Sequence, residues 1–122
     1  MTAIARLSLT AIDCPDPRAL AEFYSEITGW PIDPDSSERW VQLVSDVGAT
    51  LAFQRVDDYR APEWPGQGRA QQEHPDFEVD DLDLAESRLL AIGARKHEVQ
   101  PGTDFRVYLD PADHPFCMVL AS

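Results

Sequence analysis

Two cysteines, Cys14 and Cys117, are all the chain has, and they form no CxxC pair. A disulfide scaffold and a paired-cysteine zinc or redox motif are thereby excluded, and the free thiols fit a reducing, cytoplasmic compartment. Hydrophobic residues make up 43% of the sequence, yet no run approaches the ~18 consecutive apolar residues of a membrane span. No membrane partner is expected. Basic residues are scarce: 10 Lys and Arg stand against 22 Asp and Glu, giving a net charge of −12. That field repels a phosphate backbone, so nucleic acid is excluded as a partner, and cationic or neutral organic molecules are favoured over phosphorylated ones. The first ten residues carry only Arg6 as a charge and lack the basic-then-apolar layout of a secretory signal, which argues against export. Glycine-rich phosphate loops and the nucleophile elbow of serine hydrolases are also missing.

What the chain does have is a repeated unit. At 122 residues it fits one domain able to bury a core without covalent staples. Asp16-Pro17 followed by apolar Leu20, Phe23, Tyr24 and Ile27 and closed by Gly29 reads as a capped helix of about three turns. A second helix opens at Asp81 and runs through Leu82, Ala85, Leu89 and Ile92 to Gly93, with Glu86 and Arg88 on its wetter side. Asp16 to Asp81 spans 65 positions and Gly29 to Gly93 spans 64. Start and stop signals that recur at nearly one offset point to a duplication.

Strand-like alternation precedes each helix, over Ala5 to Ile12 and Glu73 to Val79. It follows the first helix near Trp40 to Val44 and Thr50 to Arg55, with a weaker stretch at Trp30 to Ile32 broken by Pro31 and Pro34. It follows the second helix near Lys96 to Val99, Phe105 to Leu109 and Phe116 to Leu120. The fold class is therefore α+β, with two strand-helix-strands modules at about 1–56 and 72–122. Between them the segment 57–71 carries Pro62, Pro65, Gly66 and Gly68 and reads as a linker or lid.

Asp-Cys-Pro-Asp-Pro-Arg-Ala-Leu-Ala-Glu-Phe-Tyr at 13–24, Gly29-Trp30, Leu-Ala-Phe-Gln-Arg-Val at 51–56, His-Pro-Asp-Phe-Glu-Val-Asp-Asp-Leu at 74–82, Gly93-Ala94 and Asp-Pro-Ala-Asp-His-Pro-Phe at 110–116 resemble the glyoxalase-like branch of the vicinal oxygen chelate superfamily. The resemblance covers nearly the whole chain. It implies a single domain of two βαβββ modules, an open barrel-like curved sheet around a cleft, and a homodimer. It does not fix the chemistry, because that superfamily includes lyases, isomerases, dioxygenases and metal-free drug-binding proteins.

Metal-using members place a His or Glu on the first and last strand of each module. His74 stands seven positions before Asp81 and matches one such position. Leu9 or Arg6 falls at the corresponding place in the first module, and neither ligates a divalent ion. The fourth strand offers Gln54 or Ala52, the last strand offers Cys117, and the glycine of the family's Asp-Pro-x-Gly turn is matched to His114. One His and one thiol fall short of the three or four ligands of catalytic zinc or iron sites. The reading is of no metal ligands beyond His74 and no required cofactor, with a divalent metal left open.

Alternation along Glu73 to Val79 sets Pro75, Phe77 and Val79 against the helices and leaves His74, Asp76 and Glu78 on the other face. By the same parity Gln54 opposes Phe53, and Arg106 and Tyr108 oppose Phe105, Val107 and Leu109. Gln54, His74, Tyr108 and Cys117 then cluster in the cleft, with Asp76 as the orienting partner of His74, the one candidate catalytic residue. Trp64 either closes over a planar ligand or packs on the barrel rim. Cys117, beside Phe116 and Met118, reads as a packing thiol rather than a nucleophile. His97 and His114 read as surface residues. Two functions follow: metal-independent binding of a small organic molecule, as in bleomycin-resistance-like sequestration, or a lyase or isomerase reaction on a small metabolite using the same cleft groups.

Overall fold

The computed structural model describes Ala3 and residues 6–121. The chain forms two compact units, Met1–Tyr59 and Arg60–Ser122. The segment carrying Trp64 thus belongs with the second.

The first unit contains β1 (Leu9–Cys14), α1 (Pro17–Thr28), β2 (Trp40–Gln42) and β3 (Thr50–Arg55). The strand expected from Ala5 starts outside the described residues; the part observed runs to Cys14, two residues past its expected end. Helix α1 begins where the sequence places it. Asp16 caps it by accepting the Ala19 N–H at 3.2 Å, Pro17 fills the first turn, and Gly29 ends it at φ 75°, a left-handed conformation that costs glycine nothing. Leu20, Ala21, Phe23 and Tyr24 are buried on one side of the helix. Tyr24 stacks on Phe53 of β3 with ring centroids 5.5 Å apart, and Phe23 meets Tyr24 edge-on at 5.1 Å. These two ring contacts fix which face of the sheet α1 covers.

The second unit repeats the plan with β4 (Asp76–Val79), α2 (Leu82–Ala91), β5 (Arg95–Lys96), β6 (Phe105–Leu109) and β7 (Pro115–Leu120). Asp81 caps α2 through the Leu84 N–H at 3.0 Å, and Gly93 adopts φ 104° just beyond it. Strand order is β1-β3-β2 in one sheet and β4-β7-β6-β5 in the other. In each, the first strand pairs in parallel with the last, and the last pairs antiparallel with the one before it. The offset between the helix signals therefore does mark two copies of one topology, and the architecture is α+β with two mixed sheets and no closed barrel among the described residues.

Four strands are shorter than expected: Trp40 to Val44 keeps Trp40–Gln42, Glu73 to Val79 keeps Asp76–Val79, and two others lose more. Trp30 to Ile32 contributes only an isolated bridge, Ile32 to Leu43, because Pro31 has no N–H to give to a ladder. Lys96 to Val99 yields only Arg95–Lys96, since the Val99 N–H turns back to His97 Nδ1 at 3.0 Å instead of joining the sheet.

The turn into β7 is also corrected. Its left-handed residue is Asp113, φ 65°, not His114. Aspartate tolerates that conformation better than most residues. Here Asp113 is further held by an ion pair with Arg95. Beneath the turn Asp110 is fully buried and accepts the N–H groups of Ala112 at 2.8 Å and His114 at 3.0 Å.

Candidate functional site

Strands β4, β7 and β6 lie side by side in a register that decides which side chains share a face. Asp76 pairs with Cys117, and Cys117 with Val107. One position on, Phe77 pairs with Met118, and Met118 with Arg106. Side chains alternate along a strand, so Asp76, Cys117 and Val107 occupy one face, and Phe77, Met118, Arg106, Tyr108 and Phe116 the other.

The second of these is the helix face. Arg106 reaches α2 through Asp83 at 2.7 Å and the Leu82 carbonyl at 3.3 Å. The Tyr108 hydroxyl donates to Glu86 Oε1 at 3.0 Å, while Lys96 and Arg106 approach the same carboxylate at 3.0 Å and 3.4 Å. Phe116 stacks on Tyr108 and meets Phe77 edge-on. Burial works to raise the Glu86 carboxyl, and the hydrogen bonds from Lys96 and Tyr108 with the charges of Lys96 and Arg106 overcome it, so its pKa is lowered. Tyr108 is pushed up to about 12, first by burial and then by Glu86.

The parity expected for β6 holds, with Arg106 and Tyr108 opposite Val107, but the face expected for them is corrected: acids on α2 supply polar partners beneath the sheet. Val107, buried beside Cys117, takes the position assigned to Tyr108.

On the helix-free face the β4 expectation holds. His74 sits two residues before the strand, and its Nε2 lies 3.2 Å from Asp76 Oδ1. Both side chains are open to solvent, 41% exposed for His74 and 56% for Asp76. Cys117 lies beneath them, 7% exposed, and its backbone N–H bonds the Pro75 carbonyl at 3.0 Å, which locks β7 against the residue between His74 and Asp76. A nitrogen of His74, a carboxylate oxygen of Asp76 and the Cys117 sulfur all fall within 4.8 Å of one another. Burial, then the Asp76 charge and its hydrogen bond, push the Cys117 thiol up to about 11. Such a thiol is a poor nucleophile at neutral pH.

Two other predicted residues, Gln54 and Trp64, have contacts of their own. Gln54 belongs to the first unit, exposed on the sheet face opposite Phe53, and its carbonyl accepts the Cys14 thiol at 3.7 Å. Trp64 rests edge-on against His97 at 4.9 Å. Its loop is pinned by the Glu63 to Ala70 bridge and by the Glu63 N–H to the Arg69 carbonyl at 2.7 Å. The contact of Trp64 with His97 lies within its own chain, and His97 is half-buried where a surface residue was expected. Sequence reasoning placed Asp76 in the cleft as a ligand-binding residue and the partner of His74, but did not foresee its pairing with Cys117. The signal was present in the two-residue spacing of His74 and Asp76, which puts both side chains on one strand face.

The donor set fits a divalent ion. Tetrahedral zinc with bonds of 2.0–2.3 Å sets its ligand atoms about 3.5 Å apart, a spacing that modest side-chain rotation reaches from the present separations. Imidazole, carboxylate and thiol are all established zinc donors.

Two modules, each closed by a parallel pairing of its first and last strands, define a class, and comparison gives it a family. Residues 10–119 match the model of the glyoxalase-like domain, and the chain belongs to that family. No curated protein sequence matches it. Among solved structures, a glyoxalase/bleomycin resistance protein/dioxygenase family enzyme from Burkholderia phytofirmans PsJN is similar at TM-score 0.74 and 18% identity, covering 97% of this chain and all of that one. Lactoylglutathione lyase from Agrobacterium tumefaciens is similar at TM-score 0.64 and 17% identity, over 98% of this chain and 96% of its own. TnmS3, an antibiotic binding protein from Streptomyces sp. CB03234, is similar at TM-score 0.60 and 21% identity, over the full length of both. At these identities the likeness establishes the fold alone.

Proposed function

We propose that this protein captures a small organic molecule on the helix-free face of its second sheet, without requiring a metal, and that His74 is the polar anchor. The carrying observation is the exposed His74–Asp76 pair at 3.2 Å. Nε2 faces Asp76, which leaves the other ring nitrogen, Nδ1, to meet a ligand. A ligand bearing an N–H or O–H donor satisfies it, and the net charge of −12 attracts cationic or neutral molecules. The antibiotic-binding relative supports capture as a use of this fold. In the first module Leu9 or Arg6, and Gln54 or Ala52, stand where metal-dependent members carry ligands, which supports binding that does not depend on an ion. Were one bound, His74, Asp76 and Cys117 would hold it, and it would supply Lewis-acid polarisation of a ligand oxygen.

A second reading has an observation in its favour. A carboxylate-oriented imidazole is also the arrangement of a general base, so a lyase or isomerase reaction is the competing function. Work in the cytoplasm is supported by two buried free thiols. Homodimerisation belongs to the same reading, supported by the family membership.

A thermal-shift and NMR screen of cationic and aromatic small molecules tests the proposal. Binding should weaken at least about tenfold in His74→Ala, the loss of a hydrogen bond to a strongly polar group. A ligand whose affinity ignores His74→Ala would refute the anchor. Turnover that vanishes in His74→Ala while affinity persists would establish the enzyme instead.

A further inference from the structure

We infer that the second unit by itself binds a thiophilic divalent cation, zinc or cadmium, through His74 Nε2, Asp76 Oδ1 and Cys117 Sγ, and discriminates against magnesium and manganese. The inference concerns the same side chains as ligand capture but needs no organic ligand.

Four observations converge on it. The three donors come from adjacent, hydrogen-bonded stretches whose register is fixed by the Asp76–Cys117 pair and the Cys117 N–H to Pro75 bond, so their closeness does not depend on a flexible loop. Their ligand atoms lie within 4.8 Å of one another. The charge around them has the right sign: Asp76 and the exposed Glu78 share the face, whereas Arg106 and Lys96 are directed to the opposite face and engaged with Asp83 and Glu86. Finally, the site is closed below and open above, with Cys117 and Val107 buried and His74 and Asp76 exposed. Three protein donors and one open side leave a fourth position for water or an exchangeable ligand.

Sulfur decides the selectivity. Hard cations prefer all-oxygen shells, whereas a thiolate favours zinc, cadmium and other soft or borderline ions. On binding, the metal–sulfur bond forms as the Cys117 proton leaves to solvent, any proton on His74 Nε2 passes to solvent or to Nδ1, and the 3.2 Å contact of His74 with Asp76 is exchanged for one metal bond to each. The usual family pattern draws ligands from both modules. Here one module suffices, because Asp76, two residues beyond His74, adds a third donor.

The test is titration of metal-stripped, full-length protein with Zn(II), Cd(II), Mn(II) and Mg(II) alone, followed by calorimetry, with Co(II) substitution followed by absorption. Expected are one zinc per chain with Kd on the order of micromolar or tighter, a sulfur-to-cobalt charge-transfer band, and losses of at least about tenfold in His74→Ala, Asp76→Asn and Cys117→Ser. Cys14→Ala should keep the band, which assigns the sulfur to Cys117 even if Cys117→Ser folds poorly. Absence of zinc binding, a cobalt spectrum without the sulfur band, or manganese binding as tightly as zinc would overturn the inference. Because no organic ligand is added, its failure leaves the ligand screen to be judged separately.

Discussion

Cys117 should be an unreactive thiol whose ionisation is governed mainly by burial. Its pKa stands at about 11 against an ordinary 9.0. At neutral pH that lowers the thiolate fraction about 100-fold, since each pK unit is a factor of ten. Alkylation by iodoacetamide, followed at the Cys117 peptide by mass spectrometry from pH 7 to 10.5, should show a native rate rising about tenfold per pH unit. The urea-unfolded chain should level off near pH 9. Burial also slows access of the reagent, so the pH of the plateau carries the test and the absolute rate does not. Asp76→Asn should lower the plateau only in part, because desolvation is the larger cause and the carboxylate the smaller. The same shift has a stability consequence. A pKa raised by folding means the folded chain holds its proton more tightly. The stabilisation is therefore present in full below about pH 9 and is lost as pH rises toward 11, by about 3 kcal/mol for two units. A native plateau below pH 9 would refute this account of the site.

Tyr108→Phe removes the hydroxyl from Glu86 but leaves the carboxylate paired with Lys96 and Arg106, so urea denaturation at pH 7 should show a loss of only about 1 kcal/mol. Because Tyr108 is pushed up to about 12, the wild type should lose stability between pH 10 and 12 more steeply than this variant, and parallel curves would contradict the assignment. Asp16→Ala removes the acceptor for the Ala19 N–H and should cost about 1 kcal/mol in thermal unfolding, where Asp16→Asn costs less.

How much of this was legible beforehand depended on whether a signal was local. Asp16, Pro17, Gly29, Asp81 and Gly93 act on their own turn of backbone, and each does in the structure what its residue type dictates. The duplicated connectivity followed from them. The strands around prolines were less secure, because losing one N–H shortens a ladder by an amount only its neighbours determine. Trp64 was open for a comparable reason: its partner, His97, is 33 positions further along, and no local pattern joins them.

The site divides along the same line. For β4 the alternation of Pro75, Phe77 and Val79 with His74, Asp76 and Glu78 is unambiguous, because one set is apolar and the other ionisable. In β6 the same rule fails, and the failure is physical. Parity tells which residues share a face, but not which face is wet. Arg106 and Tyr108 are polar, yet α2 brings Asp83 and Glu86 beneath them, so charge pairing compensates their burial and the apolar Val107 goes to the face away from α2. The outcome concentrates the chemistry. With Tyr108 and Arg106 committed to the helix, the polar character of this face near β4 comes, among the described residues, from His74, Asp76, Glu78 and the Cys117 thiol.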